Sequence, residues 1–348
     1  MMINPTGKLN FSNAIPKKLK WGVAGCGNFA ETAFLPALQL AQRSKLVSVY
    51  SHNIQRARQI ASKFGAPNSF DNFDKFLESD IDAVYISSAN ADHYQQILKA
   101  ASAGKNILCE RPMTLSLAEA ETITKLCEEN KIKIIIDFLH RFHPLVQKAK
   151  ELIDKQMLGK IVSISASYNI DFTPNENFRF NKKLSGGGVL RDLGSQMIDM
   201  LAYFGGEIVE VKGFMDNVVY NLEVEDFATA IVRFKKGGYG SFNISYNTKK
   251  AYNRIEILGY NGSIAIENFL GKRLNPTKLI IDLQGEAKKV FRKRTNKLLF
   301  LIRSAQKTFI KNELPLASCK DALMNIRIID EIEKQCLNGP GQSNSVIK

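Results

Sequence analysis

One short turn constrains this chain more than any other feature. The apolar run LKWGVA leads into Gly25-Cys26-Gly27-Asn28-Phe29-Ala30, and a helical pattern, FAETAFLPALQLAQ, comes directly after it. A GxGxxA turn between a strand and a helix puts small residues where each is needed. Gly25 allows the tight turn, Gly27 lets backbone approach a pyrophosphate, and Ala30 lets helix and strand pack closely. The phosphates then meet free N–H groups at the positive end of a helix dipole. The six residues Gly25, Cys26, Gly27, Asn28, Phe29 and Ala30 are therefore expected to hold a dinucleotide.

The residues beyond the turn strengthen that reading. The segments LVSVYS, DAVYIS, NILCE and IKIIIDF read as four further strands, alternating with helices. Ser116 and Glu119 form a capping box ahead of one helix, and Pro36 should kink or restart the first. Five strands alternating with helices imply a parallel, doubly wound sheet over residues 18–140. Residues 1–17 read as a polar tail, broken by two prolines and unlike a signal peptide. From residue 141 to about 340 the pattern changes to period two, in GKIVSISASYNI, DFATAIVRF, GYGSFNISY, NRIEILG and GSIAIEN. That is a mainly antiparallel sheet. Between its strands lies SGGGVLRDLGSQMIDMLAYFGG, a glycine-rich entry into a helix that sets Asp192, Gln196 and Asp199 on one face. A last amphipathic helix covers about 318–336, and residues 271–297 read as irregular. The fold class is α/β with a second, α+β domain.

At the end of the second strand, dinucleotide sites that prefer NAD usually carry an acid for the ribose 2′-hydroxyl. Here that end reads Ser51-His52-Asn53, and no carboxylate occurs from Val47 to Ile60. Ser51, Asn53 and Arg56 suit a 2′-phosphate, which favours NADP, with NAD as the alternative. No metal-ligand set is expected.

The 348 residues carry a net charge of +14, and residues 288–311 hold nine Lys and Arg with no acid. Such a face suits an anionic partner, although a solvated basic helix is the plainer reading. No base-reading motif accompanies it, so nucleic acid is not expected. Leu298, Ile302, Ala305 and Phe309 form an apolar stripe, with Lys297, Arg303, Lys307 and Lys311 off it. The helix is expected to pack on its own domain or a second subunit, and a membrane-surface contact is a lesser alternative. Five cysteines without CxxC spacing fit a reducing cytoplasm.

The ordered pieces GVAGCGNFA, SSANADH, ERP, RFHP, GGGVLRDLGSQMID, ILGYNGSIAIEN and PLASCKDALMNIRIIDEI resemble the glucose–fructose oxidoreductase / inositol dehydrogenase (Gfo/Idh/MocA) family across about residues 18–335. The resemblance implies an N-terminal Rossmann domain and a C-terminal α+β domain with a large open sheet. It implies an NAD(P)-dependent oxidoreductase acting on a sugar, polyol or sugar-derived carbonyl, and a homo-dimer or homo-tetramer. The substrate is expected to be sugar-like, with an anionic or nucleotide-linked sugar as one option in view of the basic segment. Ser88, Asn90 and His93 fall in the cofactor loop and the helix after it, and His52 near the adenine ribose. Glu110 would touch cofactor ribose or orient its neighbour, and Pro112 would fix the turn, with a cis bond as one way to do so.

Two positions depart from the family pattern. The usual Lys of Glu-Lys-Pro is Arg111, and the usual His of GGGxLxDxGxHxxD is Gln196. Arginine effectively never loses its proton and glutamine does not titrate. Arg111, Asp192 and Gln196 are the expected catalytic set, with Asp192 expected to move the proton if burial raises its pKa. Arg141, His143, Tyr168, Asp192 and Gln196 are the expected substrate contacts, and His143, Tyr168 and Asp171 are further candidates to move the proton. The alternatives are a family member that binds cofactor without turnover and, less favoured, an NAD-dependent glycosidase.

Overall fold

The computed structural model describes residues 18–130, 132–269 and 276–338. The expected tail at 1–17 lies outside them. Six parallel strands form the first sheet: β1 (Leu19–Ala24), β2 (Ser44–Tyr50), β3 (Asn68–Phe70), β4 (Ala83–Ile86), β5 (Asn106–Cys109) and β6 (Ile134–Ile136). Their order is β3-β2-β1-β4-β5-β6. The order reverses between β1 and β4, which opens a crevice at the carboxyl ends of those strands, directly after Ala24 and Ile86. The strands are apolar along their length because helices cover both faces. Trp21, Val23, Val84 and Ile135 are wholly buried. The sixth strand, β3, was not expected. Its three residues, Asn68-Ser69-Phe70, are too few to show a period.

The glycine turn feeds a wide, π-type turn at Ala30–Phe34 and then the α-helix Leu35–Leu40, which takes Pro36 in its first turn. The helix does not restart at Pro36: residues 28–40 stay helical, and the wide turn directly ahead of the proline, where Leu35 N–H reaches the Ala30 carbonyl, accommodates the ring. The capping box also forms: Glu119 N–H donates to Ser116 Oγ at 3.3 Å, and Ser116 N–H to Glu119 Oε2 at 3.3 Å.

The second sheet has eight strands: β7 (Ile161–Asp171), β8 (Ile208–Asp216), β9 (Phe227–Phe234), β10 (Tyr239–Ser245), β11 (Asn247–Gly259), β12 (Gly262–Glu267), β13 (Thr277–Leu283) and β14 (Lys289–Lys293). They run in the order β14-β13-β12-β11-β7-β10-β9-β8, antiparallel except where β10 pairs with β7. One face packs on the helix Ser195–Gly205, through Ile164, Phe242, Ile244 and Ile257 among others. The segment 271–297, read as irregular, in fact holds β13 and β14, apart from residues 270–275, which lie outside the described part. β14 is exposed at every position, as an edge strand of Lys and Arg is, so it shows no alternation to read.

The basic helix spans Lys297–Lys311 and packs on the first domain. Leu298, Ile302, Ala305 and Phe309 enter the core around β1, where Phe309 meets Trp21 with ring centres 6.0 Å apart. The apolar stripe is thus used within the chain and is not free to face a membrane. Among the described residues no helix is long and apolar enough to cross one. All five cysteines are free thiols.

Lys297 departs from the surface role its position suggested. Its Nζ turns inward, donates to the Phe269 carbonyl at 2.7 Å and lies 3.3 Å from His140 Nδ1. Burial brings its pKa down to about 8, against a smaller opposing pull from Asp137. The unfolded lysine titrates near 10.5, so between about pH 8 and 10.5 the unfolded chain binds more protons than the native one. Stability from this group therefore rises with pH across that window, and the destabilisation is complete below it. Lys297→Met removes the titration. In urea unfolding the variant should gain on the parent at pH 7, and the difference should shrink towards pH 10.5. A difference that stays flat with pH would show that Lys297 is not held in this way.

Candidate active site

A cleft of about 500 Å³ opens between the domains, at the switch point of the first sheet. Gly27, Asn28, Phe29, Ala30, Ser88, Asn90, Glu110, Arg111, Tyr168, Asp192 and Gln196 all line it. The turn at Gly25 has φ +98°, and a Cβ there would lie 2.5 Å from the backbone of Ser87 and Ser88. A Cβ on Gly27 would meet nothing within 4 Å. Gly25 is thus required by the protein's own packing, whereas Gly27 faces open space beside a helix start. That space is what a pyrophosphate needs, so the residues fit a bound dinucleotide.

The opposite wall comes from the glycine-rich helix entry and from β7. Asp192 sits in a second π-type turn, Leu190–Gly194. Its carboxylate accepts from Arg111 Nη1 at 2.7 Å, Arg179 Nε at 3.1 Å and the Tyr246 hydroxyl at 2.7 Å. Arg111 Nη1 also donates to the Asp192 carbonyl at 2.8 Å. Burial pushes the Asp192 carboxyl up, but Arg179, Arg111 and the Tyr246 hydrogen bond overcome it and bring its pKa down to about 2. The expected raised pKa is therefore reversed. With two guanidinium groups beside it, Asp192 stays a carboxylate, so it anchors Arg111 rather than donating a proton.

Gln196 bridges Arg111 and His140. Arg111 can only donate, so the Gln196 oxygen accepts from its Nη2 at 2.5 Å and Nε at 3.2 Å, and the amide nitrogen donates to His140 Nε2. His140 is buried, which holds its pKa well below the usual value, with Lys297 pressing the same way. Glu110 accepts from the Tyr85 hydroxyl at 2.6 Å and shares a hydrogen bond with Asp137, whose pKa burial and Glu110 raise well above the usual range. The Arg111–Pro112 bond is cis.

Tyr168, at the cleft end of β7, keeps its proton firmly. Burial and Asp192 raise its pKa to about 12, although Arg111 and Arg179 pull the other way. Ile170, Phe172 and Phe178 give the same wall an apolar side.

Several expected residues lie elsewhere. Arg141 is buried in a clamp on Asp199 Oδ1 at 2.6 Å, Asp321 Oδ1 at 3.0 Å and the Leu316 carbonyl at 2.8 Å, away from this cleft. Three acceptors leave it a joint between domains. His143 faces a different cleft and Asp171 is exposed. His93 is buried against the Pro112 carbonyl at 2.8 Å, which makes it a support for the turn. Cys26 is buried, its Sγ 3.5 Å from the Tyr50 carbonyl.

Ser51, His52, Asn53 and Arg56 gather at the end of β2. Asn53 caps the next helix, its side chain accepting from Arg56 N–H at 3.0 Å. Arg56 Nε donates to the Cys26 carbonyl at 3.0 Å, and its Nη2 pairs with Glu31. His52 lies 3.3 Å from Asp92. Two carboxylates from outside the strand thus approach this end, which a scan of residues 47–60 could not show.

Arg179, Tyr246, Lys297 and Asp137 were not foreseen as parts of the site. Arg179 comes from a loop without a motif. Tyr246 follows β10, where alternation alone points it inward. Among the described residues no three His, Cys, Asp or Glu side chains are grouped to hold a metal.

Comparison with known proteins agrees with this fold. Residues 19–138 match the model of the oxidoreductase family with an NAD-binding Rossmann fold, and residues 146–265 match the GFO/IDH/MocA C-terminal domain. An oxidoreductase named P35 from Formosa agariphila is 30% identical over 259 residues, which cover 71% of this chain and 79% of that one. A dTDP-3,4-didehydro-2,6-dideoxy-alpha-D-glucose 3-reductase from Actinomadura kijaniata is 24% identical over 326 residues, 93% of this chain and 96% of its own. The crystal structure of aldose-aldose oxidoreductase from Caulobacter crescentus shares the fold, with a TM-score of 0.85 at 23% identity, covering 93% of this chain and 98% of that one. The chain belongs to the Gfo/Idh/MocA family of NAD(P)-binding oxidoreductases.

Proposed function

We propose that the protein transfers a hydride between NADP and the carbonyl or carbinol carbon of a sugar or sugar-derived substrate. The observation that carries this is one cleft joining an open glycine turn, Arg111 and a tyrosine that still holds its proton. A bound reduced nicotinamide supplies the hydride. Arg111, fixed by Asp192 and Gln196, donates to the substrate oxygen and stabilises the negative charge that develops on it. In the reducing direction that oxygen takes a proton from the Tyr168 hydroxyl, and the phenolate recovers one from solvent. The nearby Arg111 and Arg179 charges favour that phenolate. Oxidation runs through the same groups in reverse.

Tyr168→Phe should lower kcat by about 10²–10⁴-fold, since it removes general acid catalysis, with cofactor affinity unchanged. Steady-state turnover with NADPH and a panel of keto-sugars is the measurement. Full activity in the variant would remove Tyr168 from the mechanism. An inactive parent protein that binds cofactor would point to the non-turnover reading instead.

Cofactor choice rests on β2, which ends in Ser51 and Asn53 without an acid, and on two cations, Arg56 and Lys63, sharing the single carboxylate of Glu31. Arg56→Ala should weaken NADPH more than NADH, by about 1.5–3 kcal/mol for one charge-assisted contact. Tighter NADH binding by the parent would refute this preference.

The outer face of the second sheet supports a homo-oligomer. Phe214, Ile231 and Tyr239 on β8, β9 and β10 are 76%, 59% and 52% exposed, more apolar surface than a free sheet face usually shows. Changing Phe214 and Ile231 together to Glu should give a monomer by sedimentation equilibrium. A parent protein that is already monomeric would exclude the contact.

A further inference from the structure

A second cleft, also of about 500 Å³, lies where the helix Lys297–Lys311 begins. We propose that it binds a phosphate group carried by the sugar substrate, which rests on the reading of the first cleft given above.

His143 makes the case for a ligand. It is 2% exposed and lines this cleft. Its Nδ1 accepts from Leu145 N–H at 3.1 Å, so in the neutral ring the proton sits on Nε2. That Nε2 is buried and, among the described residues, has no hydrogen-bond partner. Burial, with Lys297 and Lys293 adding to it, holds the His143 pKa down to about 4, so near neutrality the ring is an uncharged donor without an acceptor. Buried donors are rarely left unsatisfied. Thr295 Oγ1, on the same cleft, is also buried and has no partner among the described residues.

The rest of the lining states the charge of the missing acceptor. Lys293, Arg294 and Lys297 contribute cations, and among the described residues no carboxylate lines the cleft. Asp137 is the acid whose charge acts on Lys297. Lys288 and Lys289 pair with Asp282 at 3.0 Å and Glu286 at 2.6 Å, whereas among the described residues Lys293 and Arg294 make no such pair. The helix that starts here has 15 residues, and its Asn296 cap accepts from Leu299 N–H at 3.3 Å. Its dipole adds positive potential at the same point. Two unsatisfied hydroxyl or imidazole donors, three cations and a helix start suit a tetrahedral, multiply charged acceptor.

Placement separates this site from the cofactor's own phosphates. The glycine turn at Gly27 and the cluster at Ser51–Arg56 contribute nothing to the lining. Thr32 lines both clefts, so the two adjoin on the side of the glycine turn. A lipid headgroup fits less well, because the apolar stripe of the helix is already buried in the first core.

The test uses the full chain and inorganic phosphate, followed by calorimetry and by the ring ¹⁵N resonances of His143. Phosphate should bind, shift the His143 Nε2 resonance and leave NADPH affinity unchanged. Arg294→Ser combined with Thr295→Val should weaken phosphate by at least about tenfold, the size of one lost charge-assisted hydrogen bond. Glucose 6-phosphate should displace inorganic phosphate, and glucose should not. The His143 signal needs no variant, so misfolding of the double variant would not mask the answer. No binding at about 10 mM, equal binding by the variant, or displacement by NADPH would each overturn the proposal. So would sedimentation with phosphatidylglycerol vesicles that the variant loses while inorganic phosphate does not bind. Absent phosphate binding with retained turnover of neutral sugars defeats this site alone. Phosphate binding without turnover of any sugar defeats the assignment to substrate and the proposed reaction, leaving only an anion site.

Discussion

The Arg111–Asp192 pair joins the two domains inside the cleft, and the geometry of the site depends on it. Neither partner is well solvated, so each depends on the other. Removing one member of a buried pair typically costs about 3–5 kcal/mol, because the remaining charge is left without compensation. Arg179 and Tyr246 share the burden at Asp192, and Gln196 accepts from Arg111 Nε and from one N–H of Nη2, which leaves the second Nη2 N–H unused. A guanidinium with its donors held on two sides has one direction left to face, towards the cleft. Asp192 accordingly works through position, and the titration that its place in the sequence suggested is removed by its own neighbours.

The same logic of donors and acceptors runs deeper into the protein. Because Arg111 only donates, the Gln196 oxygen must face it and the Gln196 nitrogen must face His140. His140 then accepts on Nε2, carries its proton on Nδ1, and presents it to Lys297. A protonated Lys297 facing that N–H is unfavourable, which acts in the same direction as the burial that lowers its pKa to about 8. A neutral histidine at position 196 could fill the same two roles, accepting from Arg111 on one nitrogen and donating to His140 from the other.

Legibility in the sequence tracks the range of the interactions. The glycine turn, the capping box and the apolar stripe of the basic helix depend on residues within a few positions of each other, so spacing reveals them. Gly25 even carries its reason locally, in a positive φ. The strands β3 and β14 were hidden for opposite reasons, one too short to show a period and the other exposed on every residue. Lys297 looked like a surface residue because its helix position lies off the stripe, and only the fold shows that Phe269 and His140 cover it. The Arg56 environment was hidden in the same way, since Glu31 reaches it from another helix.

Function is divided between the clefts by the kind of side chain each contains. Around the first, the charged groups are locked: Asp192 by two arginines, Arg111 by Asp192 and Gln196. Locked charges orient a substrate oxygen well but exchange no protons, which is the reason for proposing the Tyr168 phenol as the carrier there. Around the second, Lys293 and Arg294 have no carboxylate partner among the described residues, and His143 offers a donor with nothing to receive it. Unmatched donors of that kind cost free energy until something binds. If the second cleft takes the substrate's phosphate as proposed, holding the reacting carbon and selecting the sugar would fall to different clefts. On the proposed mechanism, the departures from family pattern at 111 and 196 are compatible with activity, because Tyr168 would carry the proton that neither Arg111 nor Gln196 can exchange.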